Sequence, residues 1–206
     1  MKKIILAASA LLVFAGTGAI AAEYNIVQPE KSRIAFVSKQ MGVAVNGTFP
    51  KFAAQVAFDP ANPATGKVNI SIDLASIDAG SKDANDEVVG KQWFNVKSFP
   101  AATFVSTGIK SVAGGKYEVT GPLTIKGKSQ PVTATFTAKA EGASATFDGS
   151  FVLKRIDYAV GEGPWADVSI VANDVTVNFH VVATSGAPAT PAASANPPSK
   201  VPPKTK

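Results

Sequence analysis

Apolar and polar residues alternate along most of the chain between residues 23 and 184. The four clearest runs, in which every second residue is apolar, span 67–74, 131–139, 145–153 and 175–181. Successive side chains of a β-strand point to opposite faces, so each run predicts an antiparallel strand with one buried and one solvated face. Further strands are predicted at 23–27, 32–39, 43–58, 102–110 and 116–125. The run 43–58 is too long for a flat strand, and Gly47 and Pro50 either bend it or mark a bulge.

One segment, 84–94, breaks this alternation. It places Val88, Val89 and Trp93 roughly on one helical face, and Asp83 or Ser81 precedes it as a candidate N-cap. Acidic residues in the first turn suit the positive end of a helix dipole. This pattern predicts one short helix that closes an end of the sheet.

Roughly eight antiparallel strands and one helix make an all-β domain, either a sandwich or a barrel. The predicted inward face combines aromatic residues with small ones at Ala134, Ala138, Ala145 and Gly149. Aromatic residues at every inward position would fill a small barrel, whereas gaps at alanine and glycine leave space inside it. The pattern therefore favours a barrel that keeps an internal cavity.

The N-terminal segment differs in composition from this domain. Residues 1–21 combine Lys2 and Lys3 with an apolar run at 4–14 and small residues up to Ala21, as a cleaved secretory signal peptide does. The apolar run is shorter than the roughly 20 residues of a membrane-spanning helix. We therefore expect export, with the periplasm as destination.

The C-terminal segment, 185–206, holds six of the chain's 14 prolines and no aromatic residue. Such a composition buries too little apolar surface to offset its ordering entropy, so we expect a disordered or extended tail. The tail acts either as a basic tether to anionic lipid or cell wall, or as a solubilising segment. The barrel domain is accordingly assigned to residues 22–184.

Charge and composition exclude several classes of function. The net charge of the chain is +5, but five of its 20 basic residues lie in the terminal segments, which leaves 15 basic and 15 acidic residues in the domain. A nucleic-acid-binding domain normally has a basic surface of its own, so no nucleic-acid partner is expected. With no cysteine and one histidine, the chain lacks the residues for thiolate or histidine-rich metal sites. We expect no metal ion and no cofactor.

Candidate catalytic residues are few. His180 alternates with Thr176 and Asn178 on the polar face of the last predicted strand, and no nucleophile-elbow motif accompanies it. We therefore predict an exposed or structural histidine, no catalytic residue and a protein that is not an enzyme. Arg155 and Asp157 allow two interpretations: an ion pair on one face of a strand, or a polar cavity mouth that holds a ligand head group.

Several short motifs follow one another in a defined order. They are Tyr24-x-Ile26, Ser32-x-Ile34-x-Phe36, Gly47-x-Phe49, Phe58-Asp59, Trp93-Phe94-Asn95-Val96, Phe99-Pro100, Phe104-x-Ser106, Gly121-x-Leu123-Thr124-Ile125-Lys126-Gly127 and Arg155-x-Asp157-Tyr158. In order and spacing they resemble the YceI-like family of secreted bacterial lipocalin-like barrels, over about residues 24–184. The chain departs from the family at Lys31, where many relatives carry a histidine, and at Pro122, where an acidic residue is usual. These departures bear on the ligand more than on the fold.

The resemblance implies a lipocalin-like barrel of about eight strands with one short closing helix. It implies a polyisoprenoid, a prenylated quinone or a similar long apolar chain as ligand, held for transport, storage or sequestration. Core packing explains each inward apolar residue taken singly; with the resemblance, the set becomes the lining of a ligand cavity. This set is Phe36, Ile72, Leu74, Trp93, Phe94, Phe104, Phe136, Phe147, Phe151, Val177 and Phe179. Membrane contact without a spanning segment is compatible with such a carrier, and exposed strand edges allow a homodimer.

Two alternatives stay open. The stretch GPWAD at 163–167 is similar to a subgroup related to domains found beside cytochrome b561-type membrane proteins, which suggests a quinone-handling accessory to such a partner. A structural or interaction module would instead fill its barrel completely and bind partners through a strand edge or the tail.

Overall fold

The computed structural model describes residues 23–186, which form eleven strands, one α-helix and five 3-10 helices. The strands are β1 (Tyr24–Val27), β2 (Arg33–Gln40), β3 (Val43–Thr48), β4 (Phe52–Ala57), β5 (Lys67–Asp73), β6 (Ala101–Val105), β7 (Gly108–Val112), β8 (Lys116–Ile125), β9 (Lys128–Glu141), β10 (Ser144–Lys154) and β11 (Asp174–Ser185). The helix α1 spans Lys82–Val88. The 3-10 helices are Pro29–Lys31, Pro63–Thr65, Leu74–Ser76, Arg155–Tyr158 and Gly163–Ala166. The predicted signal peptide, and the predicted tail beyond residue 186, lie outside the described residues.

All eleven strands belong to one antiparallel sheet. Its main path has the strand order β3-β2-β11-β10-β9-β8-β6-β5-β4, while β1 pairs with β11 and β7 pairs with β8. Because β3 and β4 are consecutive in the chain but lie at opposite edges of this order, the sheet curls into a half-barrel. Tyr24 of β1 exchanges two backbone hydrogen bonds with Phe58, which follows β4 (N···O 3.0 and 3.2 Å). These bonds draw the two sides of the sheet together at one end.

The predicted fold class, an antiparallel all-β barrel with one short helix, is confirmed, but the strands outnumber the expected eight. Segment 43–58 divides into β3 and β4, with Pro50, which has no backbone N–H to donate, between them. Segment 102–110 divides at Ser106, whose hydroxyl accepts a hydrogen bond from the Val68 amide at 2.8 Å. At this position the Ser106 hydroxyl, and not a backbone carbonyl, accepts the hydrogen bond from the neighbouring strand. The next strand, β7, pairs only with β8.

The helix α1 is shorter than the predicted segment 84–94. Ser81, one of the two predicted N-caps, accepts a hydrogen bond from the Ala84 amide at 3.2 Å, and the helix ends at Val88. Val89 and Gly90 are weak helix formers, and the chain continues in turns, in which the Trp93 amide donates to the Gly90 carbonyl at 3.1 Å. These turns carry Trp93 and Phe94 to the inside of the half-barrel.

Aromatic rings fill one end of the half-barrel. The ring of Phe58 lies edge-on against Tyr117, Phe136 and Phe147, with centroid distances of 5.1, 5.7 and 5.4 Å. Tyr24 packs edge-on against Phe147 at 6.5 Å. We call these five residues the aromatic plug. Edge-to-face contacts of this kind stabilise the packing beyond simple burial, so packed aromatic rings occupy this end of the interior.

Candidate ligand cavity

A cavity of about 470 Å³ lies in the other half of the interior, between the sheet and α1. This volume falls within the roughly 300–1,000 Å³ of ordinary small-molecule sites. Eight of the residues predicted from the sequence line it: Phe36, Ile72, Leu74, Trp93, Phe94, Phe151, Arg155 and Val177. Its mouth is marked by the exposed lining residues Gln40 of β2 and Asp83 and Glu87 of α1. We call this space the main cavity.

A smaller space of about 110 Å³, the inner chamber, lies between the main cavity and the aromatic plug. The predicted residues Phe104, Phe136, Phe147 and Phe179 line this chamber and not the main cavity. Five residues line both spaces and form the neck between them: Ile34, Ile72, Leu123, Phe151 and Val177. The predicted apolar residues therefore all face the interior, but they divide between two unequal spaces.

The small inward residues do not create the main cavity, contrary to the expectation from the sequence. Of the four, only Ala134 lines either space, and that is the inner chamber. At Gly149, an added Cβ would lie 2.6 Å from the carbonyl oxygen of Thr135 and would collide with the ring of Phe179. The absence of a Cβ at Gly149 allows the Phe179 ring and the Thr135 carbonyl to pack directly against its backbone. The main cavity instead lies where residues of α1 and of the segment 160–172 complete the wall formed by the strands.

We expect Gly149→Ala to destabilise the protein by about 1–3 kcal/mol, the usual cost of overpacking a core. The clash involves backbone as well as side chain, so rotation of a ring cannot relieve it fully. Thermal unfolding measures the change, at about 2–4 °C per kcal/mol for a domain of this size. Gly108→Ala is the matched control, because a Cβ at that strand position meets nothing within 4 Å. Equal stability of the two variants would contradict this account of Gly149.

Arg155 adopts neither arrangement predicted from the sequence. Arg155 is 2% exposed. The five N–H groups of its guanidinium donate hydrogen bonds to backbone carbonyls, with N···O distances of 2.7 to 3.1 Å. The acceptors are Ala172, Val160, Gly161, Trp165 and Val171. Asp157 is exposed and accepts none of these bonds, so the predicted ion pair is wrong. Since a guanidinium has five N–H donors, Arg155 also keeps none for a ligand head group.

Burial lowers the pKa of Arg155, although a guanidinium group stays protonated in proteins. Its charge is offset by carbonyl dipoles and by the ring of Trp93, whose centroid lies 5.8 Å from Cζ. All five acceptors belong to the segment 160–172, which lies within the connection between β10 and β11 and forms part of the cavity wall. Arg155 is thus the residue that fixes this wall.

The contacts that join this wall to α1 could not be predicted from the sequence pattern. Trp165 donates a hydrogen bond from Nε1 to Oε1 of Glu87 at 2.8 Å, and its ring lies 5.5 Å from that of Trp93. Trp165 and Glu87 both line the main cavity. The position of Trp165 in a loop that contains glycine and proline suggested that it has a special role. Its partner Glu87 is 78 residues away in the chain, so no local pattern indicates their contact.

Two polar atoms of the main cavity wall have no hydrogen-bond partner. They are Nε1 of Trp93 and the hydroxyl oxygen of Tyr158, both buried. Desolvation, with a contribution from the charge of Asp157, raises the pKa of Tyr158 to about 12, so the phenol stays neutral at ordinary pH. Buried polar atoms without partners are uncommon and cost roughly 1–3 kcal/mol each. A third such atom among the described residues, Oδ1 of Asn25, belongs to neither cavity.

His180 lies on the outer face of the sheet, as its alternation predicted. It is exposed and forms a hydrogen bond through Nδ1 to Oδ1 of Asp148 on the neighbouring strand, at 2.6 Å. Within residues 23–186, no three His, Cys, Asp or Glu side chains are grouped so that they could hold a metal ion. No helix in that range is both long and apolar enough to span a membrane.

An antiparallel half-barrel around an apolar cavity resembles the barrel of a lipid-binding protein. The family model described as "YceI-like domain" matches residues 24–183, and the chain belongs to this family. Among its relatives, a UPF0312 protein of Photorhabdus laumondii is 33% identical over 175 residues, or 80% of this chain and 91% of that protein. A UPF0312 protein of Yersinia enterocolitica is 34% identical over 163 residues, or 74% and 84%. The family predicted from the sequence is thereby confirmed.

Solved structures with this fold include BcnA of Burkholderia cenocepacia. It is 52% identical, with a TM-score of 0.75, over 77% of this chain and 99% of that one. A polyisoprenoid-binding domain from Saccharophagus degradans, implicated in plant cell wall breakdown, has a TM-score of 0.61 over 80% of this chain and 99% of its own, at 16% identity. At that identity the likeness concerns the fold alone.

Proposed function

We propose that this protein binds a polyisoprenoid or a prenylated quinone non-covalently in the main cavity, and carries, stores or sequesters it in the periplasm. The observation that carries the proposal is the 470 Å³ cavity with its largely apolar wall. The polyisoprenoid-binding domain that shares the fold supports this ligand class, and the predicted signal peptide supports the location.

The energetics suit a long hydrocarbon chain. Each methylene that leaves water contributes roughly 0.8 kcal/mol, so a few isoprene units offset the several kcal/mol that association costs in lost freedom. A chain that fills the main cavity reaches the neck at Ile72 and Val177, beyond which only the 110 Å³ inner chamber remains. We therefore expect affinity to rise with chain length until the main cavity and neck are full, and then to level off.

The unpartnered atoms in the wall favour a ligand whose head group carries an acceptor oxygen. Trp93 Nε1 can only donate, and the Tyr158 hydroxyl can donate or accept. Both atoms are buried in the wall, so a ligand carbonyl would become the partner of either one after a side-chain rotation that turns the atom toward the main cavity. This chemistry favours a prenylated quinone over a plain hydrocarbon. It also favours, as a second candidate function, a quinone-handling accessory to a membrane cytochrome of the b561 type.

Mass spectrometry of an organic extract tests the proposal directly. Protein purified from its native compartment should yield a prenyl lipid in near-stoichiometric amount, above a control extract of buffer and column eluate. Displacement of an apolar fluorescent probe by a prenylated quinone and by the matching prenyl hydrocarbon then ranks the ligands. Repeated absence of a lipid, together with failure to bind the probe, would favour a structural or interaction module instead. Co-purification of a membrane cytochrome would support the accessory function.

We expect Tyr158→Phe to weaken the binding of a prenylated quinone about tenfold while leaving the binding of a prenyl hydrocarbon of equal length unchanged. A hydrogen bond to a buried partner accounts for an effect of this size. The free protein should be as stable as the parent or slightly more stable, because the variant removes an unpartnered hydroxyl. Probe displacement and thermal unfolding measure the two quantities.

Tyr117→Phe is the matched control, since Tyr117 belongs to the aromatic plug and lines neither cavity. If Tyr158→Phe weakened both ligands equally, or neither, the hydroxyl would have no part in recognising a head group.

A further inference from the structure

Four exposed apolar residues lie beside the mouth of the main cavity, on two adjoining loops. Met41 and Val43 belong to the β2–β3 hairpin and are 69% and 68% exposed, and Val168 and Ile170 precede β11 and are 54% and 38% exposed. A backbone hydrogen bond from the Met41 amide to the Ile170 carbonyl joins the loops at 2.8 Å. We call these four residues the mouth patch. They make up half of the eight exposed large apolar residues in the described part of the chain.

Met41 occupies a position that its side chain does not suit. Met41 and Gly42 form the two-residue loop between the paired residues Gln40 and Val43, with φ of 48° and 79°. Positive φ at both loop positions is the type I′ turn, for which Asn-Gly is the preferred sequence. Methionine is disfavoured there by the backbone and gains no burial. Residues that break a local rule without a structural gain tend to lie at functional positions.

The mouth patch continues the apolar wall of the cavity into solvent. On β3, Val45 lines the main cavity, and Val43 lies two residues further along the same face, opposite the lining residue Gln40. On the second loop, Ile170 directly precedes Val171, which also lines the cavity. A chain leaving the cavity through this mouth would therefore pass along the patch.

We infer that the mouth patch docks the protein on the surface of a lipid bilayer, so that the main cavity opens against the membrane. This inference rests on the proposed function, because a cavity for a long apolar chain has to exchange that chain with a lipid phase. A protein partner fits less well: a standard interface buries about 800 Å² and 20–30 residues on each side, whereas the patch offers four side chains. Apolar side chains can enter a bilayer interface without any complementary surface.

The four side chains of the patch are uncharged, and the exposed charges near it include the acidic Asp167 and the acidic mouth residues Asp83 and Glu87. Its membrane binding therefore does not depend on lysines, unlike that of the predicted basic tail. Attraction of lysines to anionic lipid weakens as salt rises, because exposed charges are screened. Burial of apolar side chains is not screened. Docking through the patch should therefore occur on vesicles of zwitterionic phosphatidylcholine and should persist at high salt.

Flotation of the purified protein with phosphatidylcholine vesicles in 0.5 M salt, at about pH 7, tests the inference. Met41→Asn should lower the vesicle-binding constant about tenfold, since burial of one large apolar side chain has an effect of this order. The same variant should unfold at an equal or higher temperature, because asparagine suits the turn. Val105→Asn is the matched control: Val105 is an exposed apolar residue on β6, away from the mouth, and its variant should bind vesicles like the parent.

Probe displacement without vesicles, run in parallel, separates the inference from the proposed function. If the protein binds a prenylated quinone but no vesicles, the docking inference is overturned and the proposed function stands. If vesicle binding depends on Met41 but no prenyl ligand binds, docking stands and the proposed function fails. Vesicle binding that high salt abolishes would overturn the inference in favour of the tail, and salt-resistant binding that Met41→Asn leaves unchanged would overturn it in favour of another surface. Self-association that depends on Met41 without vesicle binding would assign the patch to a second copy of the chain.

Discussion

Arg155→Leu is expected to destabilise the protein by about 4 kcal/mol and to abolish ligand binding under conditions in which the parent binds. The variant leaves five backbone carbonyls without their donor, and each buried unsatisfied group costs roughly 1–3 kcal/mol. Removing the buried charge recovers part of its desolvation cost. The loss of five acceptor bonds still outweighs this gain, because the costs of the unsatisfied carbonyls add up to more than the recovered desolvation energy.

Thermal and urea unfolding measure this change, with an expected fall in Tm of about 8–16 °C. Arg33→Leu is the matched control, because Arg33 is the other arginine of the chain and is exposed on β2. Arg155→Lys should be intermediate, since an ammonium group keeps the charge but has three donors for five acceptors. Full stability of Arg155→Leu would mean that the carbonyls find other partners and that the guanidinium does not fix the cavity wall.

Ala102→Phe is expected to lower the affinity for a prenylated quinone about a hundredfold without destabilising the free protein. Ala102 is a buried residue of β6 that lines the main cavity, so a phenyl group there occupies space that the ligand would fill. Displacing about four methylenes at roughly 0.8 kcal/mol each corresponds to a loss of this size. Filling an empty apolar cavity can also stabilise the free protein.

The neighbouring variant Ala101→Phe places the same ring on the outer face of β6, where the residue is exposed, and should bind like the parent. His180→Ala changes the chain's one histidine, on the outside of the barrel, and should also retain binding. Probe displacement gives the affinities and thermal unfolding gives the stability. Unchanged affinity in Ala102→Phe would place the ligand somewhere other than the main cavity.

The fold could be predicted from the sequence because strand periodicity is local. Alternation over runs such as 67–74 and 145–153 specifies which side chains face inward whatever the rest of the chain does. The breaks were harder to predict. The division at Ser106 depends on a hydroxyl that bonds to Val68, 38 residues earlier, and no local pattern records such a contact.

The candidate site could be predicted only in part, for the same reason. Phe36, Phe104 and Phe147 were correctly placed on the inward face, but the period of a strand does not reveal position along the barrel. It could not separate the main cavity from the inner chamber. Arg155 was misread because its neighbour in sequence, Asp157, suggested an ion pair. Its acceptors are backbone carbonyls, which every residue type offers.

The aromatic plug has a consequence for how the proposed ligand would be exchanged. Because Phe58 and its neighbouring rings occupy the far end, a chain in the main cavity could not pass out through that end and would leave by the mouth through which it entered. An incoming molecule cannot push out the resident one from behind, so replacement is sequential and its pace is set by how fast the first molecule leaves. Such a barrel would exchange its ligand slowly with the surrounding solution. Contact between the cavity mouth and a lipid phase that accepts the ligand would speed its release.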